Sequence, residues 1–60
     1  MSDLAIRIME ALKARPMLFS DILREFRDQP YRQILLAWSE LRETGKLERT
    51  RPEGGYRWAY

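Results

Sequence analysis

The sequence predicts an α+β fold: three helices followed by a C-terminal β-hairpin. Two observations carry the prediction. Apolar residues recur at three- and four-residue steps as far as Thr44, and after Gly45 the repeat changes to two. Length sets the scale, because a chain of 60 residues buries only about 60% of the surface its unfolded form exposes. One core and one domain spanning 1–60 are therefore expected. With 45% apolar and 33% charged residues, the composition is that of a folded chain rather than a disordered one.

The first helix is expected from about Asp3 to Ala14, where Leu4, Ala5, Ile8, Met9, Ala11 and Leu12 share one face. Ser2 is placed to cap it, Asp3 favours its positive end, and Pro16 ends it. Met17, Leu18 and Phe19 are too few for a helix of their own, and read as a stub of strand or an extended link. Ser20 and Asp21 mark the start of a second helix, with Ile22, Leu23 and Phe26 as its buried stripe and a stop by Asp28. Pro30 suits the first turn of a third helix, capped by Asp28 or Gln29. Ile34, Ala37, Trp38 and Leu41 then hold helical spacing to Thr44, and Gly45 supplies the left-handed stop.

Beyond Gly45, Leu47, Arg49 and Arg51 alternate with Glu48 and Thr50, and Tyr56, Trp58 and Tyr60 alternate with Arg57 and Ala59. The Pro-Glu-Gly-Gly stretch between them has turn chemistry. If Arg51 pairs with Tyr56, then Arg49 meets Trp58 and Leu47 meets Tyr60. One face then carries the aromatics and two guanidiniums, and the other carries Glu48, Thr50, Arg57 and Ala59. A lone hairpin is marginal in water, so Leu47 and Trp58 are expected to close the core against the helices, with the Met17–Phe19 run as a third strand at the edge.

The stretches FSDILREFRD, QPYRQILLAWSELRETG and LERTRPEGGYRWAY, in that order, resemble the supporting helix, recognition helix and wing of the winged helix-turn-helix DNA-binding family, which includes small bacterial and phage-type transcriptional regulators. The resemblance covers essentially the whole chain and implies a minimal winged helix. The junction of Leu41 with Gly45-Lys46-Leu47-Glu48-Arg49 is similar to the helix-to-wing junction of that family. Regulators of this size that hold an iron–sulfur cluster do so through wing cysteines. This chain has no cysteine, so no cofactor is expected.

What the resemblance implies for the site is a third helix that enters the major groove by its N-terminal residues, here Tyr31, Arg32 and Gln33. Arg binds guanine and Gln binds adenine bidentately, each good pair giving about 1–3 kcal/mol of discrimination. Tyr31 either reaches a phosphate or packs over the turn. In the wing, Arg51 and Arg57 flank the tip and are candidates for phosphate or minor-groove contact. Arg49 reads better as cation–π cover on the hairpin aromatics. Arg24 and Arg27 on the second helix and Arg42 late on the third are candidates for the flanking backbone, although Asp28 and Glu43 beside them dilute the field. Leu36 is expected on the outer side of the third helix with Gln33, Glu40 and Glu43, where the acids would repel phosphates. An exposed leucine at position 36 suits a thymine methyl, and equally the Leu35–Leu36 ridge, or the first helix, is a candidate contact with a second copy or with another protein.

Net charge is only +2, yet it is carried by nine arginines against two lysines, and arginine offers the planar fork that suits phosphates and guanine edges. Without cysteine or histidine, the serines at 2, 20 and 39 lack a partner base, and Asp21 with Glu25 one turn apart is an ordinary surface pair. No enzyme activity and no metal site are expected. The charged N-terminal stretch lacks the apolar run of a signal peptide, and nothing approaches a membrane span. A cytoplasmic protein acting on double-stranded DNA, as a homodimer or beside another bound protein, is the expected function. The alternative is a winged-helix module that binds protein and not DNA.

Overall fold

Helix α1 runs Asp3–Ala14, as its apolar spacing predicts. The Ser2 hydroxyl accepts the N–H of Ala5 at 3.2 Å, and Asp3 sits in the first turn. Its inward stripe is Ala5, Ile8 and Leu12, all buried, with Leu4, Met9 and Ala11 packed at the margins. A computed structural model of the chain describes residues 1–49 and 55–58, and within them lie two further helices and two strands.

Helix α2 covers Phe19–Glu25 and begins one residue earlier than the Ser20-Asp21 signal suggests. The reason lies in the first turn itself. Asp21 acts from inside the first turn, its carboxylate accepting the N–H of Leu18 at 3.1 Å, so Leu18 takes the cap position. Ile22 is buried within the helix and Phe26 just after it.

Helix α3, Tyr31–Glu43, is the longest, and Ile34, Ala37, Trp38 and Leu41 form its buried stripe. Two expectations at its start are corrected. Pro30 does not occupy the first turn; it stands at the cap position with extended geometry, φ −59° and ψ 140°. Neither Asp28 nor Gln29 caps the helix: no side chain does so, and the Asp28 carboxylate accepts from the Gln29 amide at 3.3 Å instead. At the far end the Thr44 hydroxyl donates to the Leu41 carbonyl at 2.7 Å, and Gly45 turns the chain with φ +75°.

Strands β1 (Leu47–Arg49) and β2 (Tyr56–Trp58) pair antiparallel with Leu47 opposite Trp58, Glu48 opposite Arg57 and Arg49 opposite Tyr56. The register is therefore two residues away from the expected one, with Arg49 rather than Arg51 opposite Tyr56. A shift of two preserves the faces. Trp58 is buried and Leu47 half-buried, so these two close the core as expected. Met17 holds Tyr56 in an antiparallel bridge. Met17 thus supplies the expected third-strand stub, one residue long and on the free edge of β2.

Trp38 joins the layers. Its ring lies 5.0 Å from that of Phe19 and 5.1 Å, edge-on, from that of Tyr56, tying α2, α3 and β2 together. Among the described residues no buried polar side-chain atom lacks a partner, and no helix is long and apolar enough to cross a membrane.

Candidate nucleic-acid interface

The link between α2 and α3 is built to be rigid. Phe26, 5% exposed, plugs the core and donates its N–H to the Ile22 carbonyl at 3.0 Å, while its own carbonyl accepts from Gln29 at 2.9 Å. The Arg7 guanidinium sits 5.4 Å from the centre of the Phe26 ring on the outside. The Pro30 carbonyl then receives the N–H groups of Gln33 and Ile34, at 3.0 and 3.2 Å. The orientation of the first turn of α3 is fixed by this frame.

That turn carries Tyr31, Arg32 and Gln33, all exposed, with Tyr31 58% accessible. It differs from the other two helix starts in one respect. α1 has Ser2 and Asp3 at its positive end and α2 has Asp21, whereas α3 has no capping side chain and no acid in its first turn. In that place stands Arg32, which makes no ion pair or side-chain hydrogen bond among the described residues. The uncompensated helix end and the guanidinium add their positive potential at one spot.

The arginines divide into two groups. Arg24 pairs with Asp21 at 3.5 Å, Arg15 with Glu25 at 3.9 Å, and Arg57 donates to Glu48 at 3.0 Å. Arg7 lies on Phe26, and Arg49 lies 6.0 Å from the centre of the Tyr56 ring, which is the cover role expected of Arg49. Arg27, Arg32 and Arg42 have no such partner among the described residues. Arg27 borders an open depression with Arg15, Asp21, Arg24, Glu25 and Asp28, where acids and bases alternate. Arg42 stands in the last turn of α3, where a cation suits the negative helix end. Arg51 lies outside the described residues.

Helical spacing puts Arg32, Leu36, Ser39 and Glu43 in one stripe along the outer side of α3, opposite Ile34 and Leu41. Leu35 and Leu36 are 40% and 54% exposed. The expectation that Glu40 belongs to that outer side is corrected. It is half-buried, and its carboxylate accepts the Ser2 backbone N–H at 2.7 Å, an orphan donor at the start of α1 that needs an acceptor. No local pattern reveals this, since it links positions 38 residues apart.

Comparison of the chain with protein-family models, curated proteins and solved structures finds no match.

Proposed function

We propose that this chain is a small double-stranded DNA-binding protein of the winged-helix type, acting in the cytoplasm as a transcriptional regulator. The observation that carries the reading is the first turn of α3: exposed, uncapped, free of acids and bearing Arg32, which has no partner among the described residues. A natural helix start usually attracts an acidic side chain worth about 0.3–1 kcal/mol. Here that compensation is left for a partner to supply, and a phosphate or a guanine edge supplies it. The layout of three helices and a hairpin, with the hairpin strapped to Met17, fits a minimal winged helix. One such module makes few base contacts, and a homodimer on a palindromic site would double them.

The experiment is a mobility shift with generic duplex at several salt concentrations. The reading expects affinity that falls steeply with salt, as counterion release requires, and that weakens on replacing Arg27 and Arg32 together with alanine. Binding unchanged in that double variant would place the interface elsewhere.

A second reading has an observation of its own. Tyr31, Leu35 and Leu36 are large, apolar or aromatic, and exposed on the same helix, which suits a module that docks protein. Under that reading, low-salt duplex titrations give no shift.

A further inference from the structure

We infer that Leu36 is a specificity residue that reads the C5-methyl group of thymine in the major groove; the inference rests on the DNA-binding reading above. Three features of α3 support it. Leu36 is 54% exposed and lies one turn beyond Arg32 on the outer stripe, about 6 Å along the helix axis. Its neighbours on that stripe are Arg32, Ser39 and Glu43, while the other exposed apolar groups of the helix, Tyr31 and Leu35, lie to one side of the stripe. A standard protein interface draws on about 20–30 residues a side, far more than Tyr31, Leu35 and Leu36 provide, whereas a methyl group is matched to one leucine side chain.

Charge then fixes which part of the helix engages. Among the described residues Arg32 has no ionic partner at the N-terminal end, while at the other end the exposed Glu43 repels phosphates and offsets Arg42 beside it. Glu40 is withdrawn, bound to the Ser2 N–H. The helix therefore enters a groove by its first two turns, and Leu36 is the last residue of the outer stripe within them. With a base-pair rise of about 3.4 Å, Arg32 and Leu36 address positions roughly two base pairs apart. The expected recognition element is a guanine followed, at that spacing, by a thymine. Major-groove apolar contact with the thymine methyl needs no hydrogen bond and distinguishes thymine from cytosine by that group.

The test uses duplexes enriched by the wild-type protein from a randomised pool, each rebuilt with deoxyuridine replacing thymidine one position at a time. Deoxyuridine pairs identically and lacks only the methyl. The wild type should lose about fourfold in affinity at one thymine, the weight of one buried carbon group. Leu36→Ala should bind thymidine and uridine duplexes equally, at the wild type's uridine level, with an unchanged salt slope and an unchanged melting temperature. If the wild type binds duplex but ignores every uridine replacement, the assignment of Leu36 is overturned and the DNA-binding reading survives. A Leu36→Ala variant that weakens equally on both duplexes, or that loses self-association in sedimentation, would show that Leu36 serves the fold or a protein contact instead. Absence of any duplex binding at low salt overturns both readings together.

Discussion

Met17 and Tyr56 exchange both of their backbone hydrogen bonds: the Met17 N–H donates to the Tyr56 carbonyl at 2.8 Å, and the Tyr56 N–H donates to the Met17 carbonyl at 2.6 Å. This exchange ties the hairpin to the link between α1 and α2. Residue 55 must pass close beside it, with φ +79°, and a Cβ there would overlap the backbone of Met17 and Leu18.

Gly55→Ala is therefore predicted to destabilise the protein by about 2–4 kcal/mol, combining the left-handed penalty of about 1–2 kcal/mol with a clash that backbone cannot relieve. Gly45→Ala is the control. Gly45 has nearly the same φ, +75°, with nothing within 4 Å of the added carbon, so only the conformational penalty applies. Urea unfolding of both variants, compared with the wild type, separates the two contributions; equal losses would mean that the Met17 contact is unimportant.

Trp38→Ala should cost about 3–5 kcal/mol, the usual range for deleting a buried aromatic ring. The ring contacts with Phe19 and Tyr56 disappear with it. A domain of this size has little more stability than that to lose, so the variant is expected to show no cooperative thermal transition by circular dichroism.

The Glu48–Arg57 pair is exposed on both sides, 48% and 58%, and its removal by Glu48→Ala should change stability by less than about 1 kcal/mol. The informative readout is binding. If Arg57 reaches a phosphate, freeing it from Glu48 raises duplex affinity by about twofold to fivefold and steepens the salt dependence. An unchanged titration would assign Arg57 to the hairpin alone.

Arg32→Ala should leave stability within about 0.5 kcal/mol of the wild type, since Arg32 is exposed and has no partner among the described residues. Duplex affinity should fall by roughly fivefold to 150-fold, the equivalent of about 1–3 kcal/mol. The form of the loss identifies the contact: relaxed preference at one base pair for a guanine contact, or a salt slope reduced by about one for a phosphate.

How much of this was legible in the sequence depends on range. The helices announce themselves through Ile8, Ile22, Trp38 and Leu41, because apolar spacing is a local property, and the faces of the hairpin follow from the alternation of Leu47 with Glu48 and Tyr56 with Arg57. Register is not local. The Pro-Glu-Gly-Gly stretch invites a tight turn, but Gly55 is required for its approach to Met17, which no reading of turn residues reveals. The same holds at the candidate site. Tyr31, Arg32 and Gln33 are identifiable as the start of a helix, but the missing cap emerges only when Asp28 is seen on Gln29, and the withdrawal of Glu40 only when Ser2 is seen beside it.

The most direct test of the central claim is a nitrogen-15 heteronuclear titration of the labelled protein with random duplex DNA at low salt. The account predicts amide shifts concentrated at Arg27, through Tyr31–Leu36 and in the hairpin, and reversed by added salt. Shifts absent under those conditions, or centred on the outer face of α1 around Ile6 and Glu10, would contradict it.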